Sequence, residues 1–309
     1  LFYDAGSGDW KRRPCPDMER FPAGHVFEDG TLRRAWHLPA CDPADPSAAL
    51  TAVRGAVEDT LADLGDVPVA FSGGVDSALL AAHSDGPLYV AGFPDSHDVA
   101  AAREAADRMD RAVRVVELGI EDVEAAVPVV PRATGRTNAM DVAIALPLYL
   151  VAERVAADGH DHLAVGQGAD ELFGGYAKVA NAPADDRVAA DTVRGARDET
   201  LAGLPDQCER DVLALREAGV EPVTPYLHDR VVRAALPLPG ASLVHEGTRK
   251  VALRRVAAEH LPDPVANREK KAMQYGSLVA RELDRLARRA GFKRRMEDHV
   301  SRYVADRLE

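Results

Sequence analysis

The sequence predicts a doubly wound α/β fold with a parallel sheet, followed by a mostly helical C-terminal part. Three observations carry this. Four short apolar segments each run into a helical stretch, the first does so through a glycine-rich loop, and beyond Gly168 the pattern is mostly helical. Strands alternating with helices are joined by right-handed crossovers, so the strands lie parallel with helices on both faces.

Residues 1–46, rich in Pro, Gly and charge, read as an arm carrying a hairpin, with the extended run from His25 to Leu38 broken at Glu28-Asp29-Gly30. Residues 47–309 read as one further domain. Ser47 can cap a helix whose Leu50, Val53, Val57 and Leu61 recur at helical spacing. The strand-like segments are Val67 to Phe71, Leu88 to Phe93, Val113 to Leu118 and His162 to Gly166, with a long apolar helix from Ala139 to Asp158 before the last. After Gly168, helices are expected around Glu209 to Ala218, Leu227 to Leu236, Thr248 to His260 and Ser277 to Ala290.

A chain of 309 residues with 46% hydrophobic content can bury a substantial core. Its formal charge of -12 argues against a broad nucleic-acid surface, which works by neutralising phosphates with Lys and Arg. Cys15, Cys41 and Cys208 are odd in number and form no C-x-x-C pair, so neither a disulfide framework nor a zinc site is expected, and a reducing cytoplasm fits. The apolar stretch from Val142 to Ala152 is too short to span a membrane, and Leu1 to Trp10 is too polar for a signal peptide.

Chemistry concentrates in two loops. Ser72-Gly73-Gly74-Val75-Asp76-Ser77 lies between the first strand and its helix. Paired glycines let the backbone approach a phosphate, helix-opening amides point at the anion, and Ser72 and Ser77 add hydroxyl donors. Asp76 beside phosphates makes electrostatic sense with Mg²⁺ between them. No Lys follows the glycines, so this is not the G-x-x-x-x-G-K-[ST] loop. The pattern resembles the pyrophosphatase loop of the N-type ATP pyrophosphatases, which cleave ATP to AMP and pyrophosphate.

The second loop, Gly166-Gln167-Gly168-Ala169-Asp170-Glu171-Leu172-Phe173-Gly174-Gly175-Tyr176, follows the fourth strand. It resembles the G-E-G-A-D-E-L-F-G-G-Y signature of the asparagine synthetase family. Phe21-Pro22-Ala23-Gly24-His25, Thr224-Pro225-Tyr226-Leu227, Lys250-Val251-Ala252-Leu253-Arg254 and Arg268-Glu269-Lys270 are similar to further stretches of that family in the same order. The resemblance implies an adenine nucleotide α-hydrolase-like fold for residues 47–309 and an AMP-forming ligase using ATP and Mg²⁺. It implies nucleotide contacts from Ala70, Phe71, Ser72, Gly73, Gly74, Asp76, Ser77, Ala91, Gly92, Gly166, Gly168 and Asp170. Asp76 and Asp170 are implied as metal ligands, and Lys250 and Lys270 as cations that offset phosphate charge. Arg254 and Arg268 read equally well as helix-surface charges.

Gln167 stands where the family has Glu, and an amide can neither take a proton as base nor hold an ammonium by charge. Ala143 stands where an Arg anchors the amino-acid carboxylate, with Asp141 and Asn138 offered instead. Residue 1 is Leu, not the Cys that begins the family's glutaminase domain, so ammonia or an amine is expected from solution or from a separate glutaminase or other supplier. Three readings follow: amide formation on an activated carboxylate, the same adenylation serving sulfur transfer or ring closure, and a non-catalytic ATP-binding module.

Overall fold

Near the amino terminus, three short strands form an antiparallel sheet: β1 (Phe2–Tyr3) lies between β2 (Trp10–Lys11) and β3 (Glu19–Arg20). The computed structural model describes all residues except 1, 5, 8, 12–13, 15–17, 95, 185–189, 269–274 and 309. Tyr3 closes this sheet over the next unit, its ring centroid 5.2 Å from Phe21 and 5.5 Å from Phe27. That unit is a hairpin of β4 (His25–Glu28) and β5 (Thr31–Arg34), turned at Asp29 and Gly30 with φ of 50° and 74°. Two positive φ values in a two-residue turn match the right-handed twist of the strands.

Helix α1 (Pro46–Leu61) starts one cap earlier than expected. Asp45, not Ser47, accepts the free amides of Ser47 and Ala48, both at 3.0 Å, with Pro46 preset for the first turn. Its buried stripe is Ala49, Val53, Val57 and Leu61.

The central sheet alternates with helices along the chain. β6 (Val69–Ala70) leads to α2 (Val75–Ala82), β7 (Leu88–Gly92) to α3 (His97–Arg108), and β8 (Val113–Glu117) to α4 (Ile120–Ala126), α5 (Val129–Thr134) and α6 (Ala139–Ala157). Then β9 (His162–Ala164) leads to α7 (Ala169–Phe173), α8 (Ala177–Asn181), α9 (Val193–Ala202) and α10 (Leu204–Glu217). A fifth strand, β10 (Glu221–Val223), joins β9 from the stretch expected to be mostly helical. It is three residues long and carries Pro222, which is tolerated because β10 is an edge strand.

The order is β10-β9-β6-β7-β8, all parallel. The chain winds outward from β6 through β7 to β8, then returns to lay β9 against the other side of β6. That reversal opens a crevice at the carboxyl ends of β6 and β9, where open parallel sheets bind ligands. One face of the sheet is covered by a core of α1, α2, α3 and later helices, including Val53, Leu79 and Leu253. The other is covered by α6, α10 and the helix Tyr275–Arg289, including Leu146, Leu215 and Leu283. The fold is therefore doubly wound α/β with a mostly helical C-terminal part. Among the described residues, no helix is long and apolar enough to cross a membrane.

Candidate active site

The crevice is built from two glycine loops. After β6, the Phe71 ring packs into the core and its amide donates to Tyr89 O at 2.7 Å, while Ala70 is half-buried. Gly73 then takes φ +72°, and a Cβ there would stand 2.7 Å from Ala101 O, so only glycine fits. The Ser77 hydroxyl holds the loop closed: Ser72 N donates to Ser77 Oγ at 3.1 Å, and Ser77 Oγ donates to Gly74 O at 3.2 Å, with Ser72 Oγ 3.2 Å from Ser77 Oγ. No side chain caps the start of α2, which leaves this helix end to an incoming anion.

The second loop follows β9 and runs against the first. A Cβ on Gly166 would lie 3.4 Å from Asp76 Cβ, and one on Gly168, at φ +88°, would strike Leu227 Cδ2 at 2.3 Å. Tyr226 reaches in from the Thr224-Pro225-Tyr226-Leu227 stretch, its hydroxyl donating to Asp76 O at 2.8 Å. These contacts bring Asp76 on α2 and Asp170 on α7 to one point, marked by Lys250. Its Nζ lies 2.5 Å from Asp76 Oδ2 and 2.7 Å from Asp170 Oδ1.

Lys250 is built for this position. Its side chain is 3% exposed, and its backbone takes φ 60°, ψ 38°, a left-handed conformation that costs a non-glycine residue on the order of 1 kcal/mol or more. Burial pulls its pKa down, but Asp76 and Asp170 more than offset this and leave it above the ordinary value. The arm passes over Gly175, where a Cβ would fall 1.8 Å from Asp170 Oδ1 and 2.3 Å from Lys250 Cε.

The donor set suits Mg²⁺. Asp76 Oδ1 is buried and accepts no hydrogen bond, an oxygen left for a cation. Among the described residues no group of three or more His, Cys, Asp and Glu could hold a metal. Two carboxylates with phosphate oxygens completing the shell are the usual Mg²⁺ arrangement, unlike a protein-only cage.

Gln167 sits beside this centre and is held from α10: its Nε2 donates to Asp211 Oδ2 at 3.2 Å. Asp211 in turn accepts from Arg210 Nε at 2.8 Å, and Arg210 donates to Asp141 Oδ1 at 2.9 Å. Asp141 also accepts from Arg136 at 3.0 Å and Asn138 at 2.7 Å. Burial pushes the Asp141 carboxyl up, yet the bonds from Asn138, Arg210 and Arg136 bring it down to about 2. Asp141 and Asn138 are thus tied to protein partners, and Ala143 is buried in the core. The cations of this wall, Arg136 and Arg210, and the carboxylate Asp211 went unnoticed in the sequence, since no local pattern links them to Gln167.

Ala91 and Gly92 end β7 and are buried; Gly92 is required by packing, since a Cβ would lie 2.5 Å from Val99 Cγ2. Arg254 is not a surface charge. It is buried, and donates to the carbonyls of Arg249, Ala266 and Arg268 at 2.7–2.8 Å. Arg268 donates to Ala101 O at 2.6 Å, the same carbonyl that lines Gly73. Lys270, Glu269 and Cys15 lie outside the described residues.

A family model described as asparagine synthase matches residues 49–203 and 199–306. The chain belongs to the asparagine synthase family. A Methanocaldococcus jannaschii protein provisionally named glutamine-hydrolyzing asparagine synthetase 1 is 29% identical, covering 79% of this chain and 52% of that protein. Glutamine-hydrolyzing asparagine synthetase B of Escherichia coli is 26% identical, covering 85% and 52%. The chain spans about half the length of these curated relatives. A solved M. jannaschii structure titled as a predicted subunit of tRNA methyltransferase matches at 21% identity and TM-score 0.30, covering 63% of this chain and 89% of that one, and is too distant to carry an argument.

Proposed function

We propose that this asparagine synthase family chain uses ATP to activate a substrate carboxylate, releasing pyrophosphate, and then passes the acyl group to ammonia or an amine with release of AMP. Residues 47–309 form the catalytic unit, and residues 1–46 an arm beside it. The observation that carries the reading is the meeting of Asp76, Asp170 and Lys250 at the crevice where the two glycine loops touch.

In this reading the Ser72 loop and the start of α2 bind the β- and γ-phosphates, so the bond that breaks lies between the α- and β-phosphates. The substrate carboxylate oxygen attacks the α-phosphorus, giving an acyl-adenylate and pyrophosphate. Mg²⁺ held by Asp76 and Asp170 would supply charge neutralisation for the leaving pyrophosphate. Lys250 adds a fixed cation at the same place, and Lys270 offsets the charge developing at the α-phosphorus. Ala91 and Gly92 edge the adenine side through their backbone.

Gln167 faces the second half-reaction. With one N–H of Nε2 donated to Asp211, its Oε1 is the group that can accept a hydrogen bond from the nucleophile's N–H. It cannot remove a proton, so the nucleophile must arrive as a free amine. That favours an amine held neutral by its own chemistry, including an intramolecular one that closes a ring, over ammonium from solution. Where ammonia is the donor, a separate glutaminase or other supplier would deliver it. A reducing, cytoplasmic setting completes the reading.

The test is a screen of carboxylates against amines with AMP, ADP and pyrophosphate quantified. AMP and pyrophosphate formed together, and only with a carboxylate present, supports the reading; ADP formation, or ATP binding without turnover under every pairing, rejects it.

A further inference from the structure

We infer that Lys250 holds the place of the metal until nucleotide arrives, so that the protein binds its divalent cation only together with the triphosphate. The inference rests on the reading of Asp76 and Asp170 as the metal ligands. Nζ of Lys250 contacts the very carboxylates assigned to Mg²⁺, at 2.5 and 2.7 Å, from a side chain only 3% exposed. Two carboxylates and one ammonium leave one net negative charge. A divalent cation added alone would leave the pocket with net positive charge beside a buried ammonium, an unfavourable state in a poorly hydrated site. A triphosphate brings the missing negative charge and gives the ammonium a second partner, so cation and nucleotide enter favourably as one unit.

The arrangement is held in place by more than charge. The left-handed backbone at Lys250 aims the side chain back toward the crevice, and Arg249 next to it donates to Gly175 O at 2.7 Å. Gly175 in turn provides the slot for the Lys250 arm and the Asp170 carboxylate, since any Cβ there would overlap both. An ammonium merely resting on two acids would need neither the backbone conformation nor the slot.

The experiment counts Mn²⁺ bound to the full chain by electron paramagnetic resonance, first without nucleotide. The parent should bind no Mn²⁺ that Asp170→Asn removes, whereas Lys250→Met should bind one Mn²⁺ at least about tenfold more tightly, a gain abolished by adding Asp170→Asn. With α,β-methylene-ATP the parent should acquire a protein-bound Mn²⁺. If the nucleotide-free parent already binds one Mn²⁺ as tightly as Lys250→Met, in a manner that Asp170→Asn abolishes, the inference is wrong. Should Lys250→Met fail to fold, the parent decides alone: Mn²⁺ bound without nucleotide and removed by Asp170→Asn overturns the inference, and Mn²⁺ acquired only with the analogue supports it. A parent that binds Mn²⁺ with the analogue, beside a folded Lys250→Met that gains nothing, overturns the inference and leaves the nucleotide site standing. No Mn²⁺ in any variant even with the analogue overturns the metal assignment as well.

Discussion

Gln167 gives one of its two amide hydrogens to Asp211, a carboxylate delivered by a helix 44 positions further along the chain. The relationship changes what it would mean to restore the family's Glu at this position. Gln167→Glu would set a second carboxylate 3.2 Å from the first, with the donor between them gone. The expected result is slower adenylation by about tenfold or more at pH 8 and a lower Tm, since the added charge repels both Asp211 and an anionic substrate. A proton shared by the two carboxyls relieves the repulsion, so the deficit in Tm should shrink as the pH falls from 8 to 5. Thermal melts of parent and variant across that range check it; an equal deficit at both ends would contradict the pairing.

Asp76→Asn or Asp170→Asn should each lower turnover by on the order of 10² at saturating Mg²⁺, because each removes an anionic ligand and half of the counter-charge of Lys250. The far-ultraviolet circular dichroism should stay that of the parent. Full activity in both variants would remove the shared-metal assignment.

Gly175→Ala adds one methyl where Asp170 and Lys250 cross. Both side chains are pinned by their ion pair and cannot step aside without breaking it. We expect turnover to fall at least about tenfold and stability to drop by about 1–3 kcal/mol, the usual range for overpacking. Urea titration and steady-state kinetics on the same preparation measure the two effects.

The Asp141 carboxyl, held at about 2 against an ordinary 3.8, makes a pH prediction of definite sign. Its contribution is present above pH 4 and is lost as the pH falls through about 2, an effect of about 2 kcal/mol. Asp141→Asn should be less stable than the parent at pH 6, and the gap should narrow toward pH 2. Urea midpoints at pH 6, 4 and 2.5 measure it, and a gap that widens on acidification would contradict the pairing with Arg136 and Arg210.

The parts legible in the sequence were those with local patterns. Four strands of the central sheet stood out as apolar runs closed by loops, and Asp76 and Asp170 were found because each follows a glycine loop at a strand end. β10 was missed because three residues containing Pro222 carry no strand period, and it is the neighbouring β9 that makes them a strand. The first helix was capped by Asp45 where Ser47 was expected, a choice settled by Pro46 between them. The bonds that join Gln167 and Asp141 to Asp211 and Arg210 were invisible because they link residues 44 and 69 positions apart. Arg254 read equally well as a helix-surface charge because nothing local reveals that three carbonyls converge on it.

The central claim is that the carboxylate oxygen attacks the α-phosphorus of ATP. It is tested most directly by running one turnover with a carboxylate substrate labelled with ¹⁸O in both oxygens and an amine acceptor, and weighing the nucleotide and phosphate products by mass spectrometry. The account predicts unlabelled pyrophosphate and AMP carrying one ¹⁸O in its phosphate. Label in inorganic phosphate with ADP as the nucleotide product would place the attack at the γ-phosphorus and contradict it.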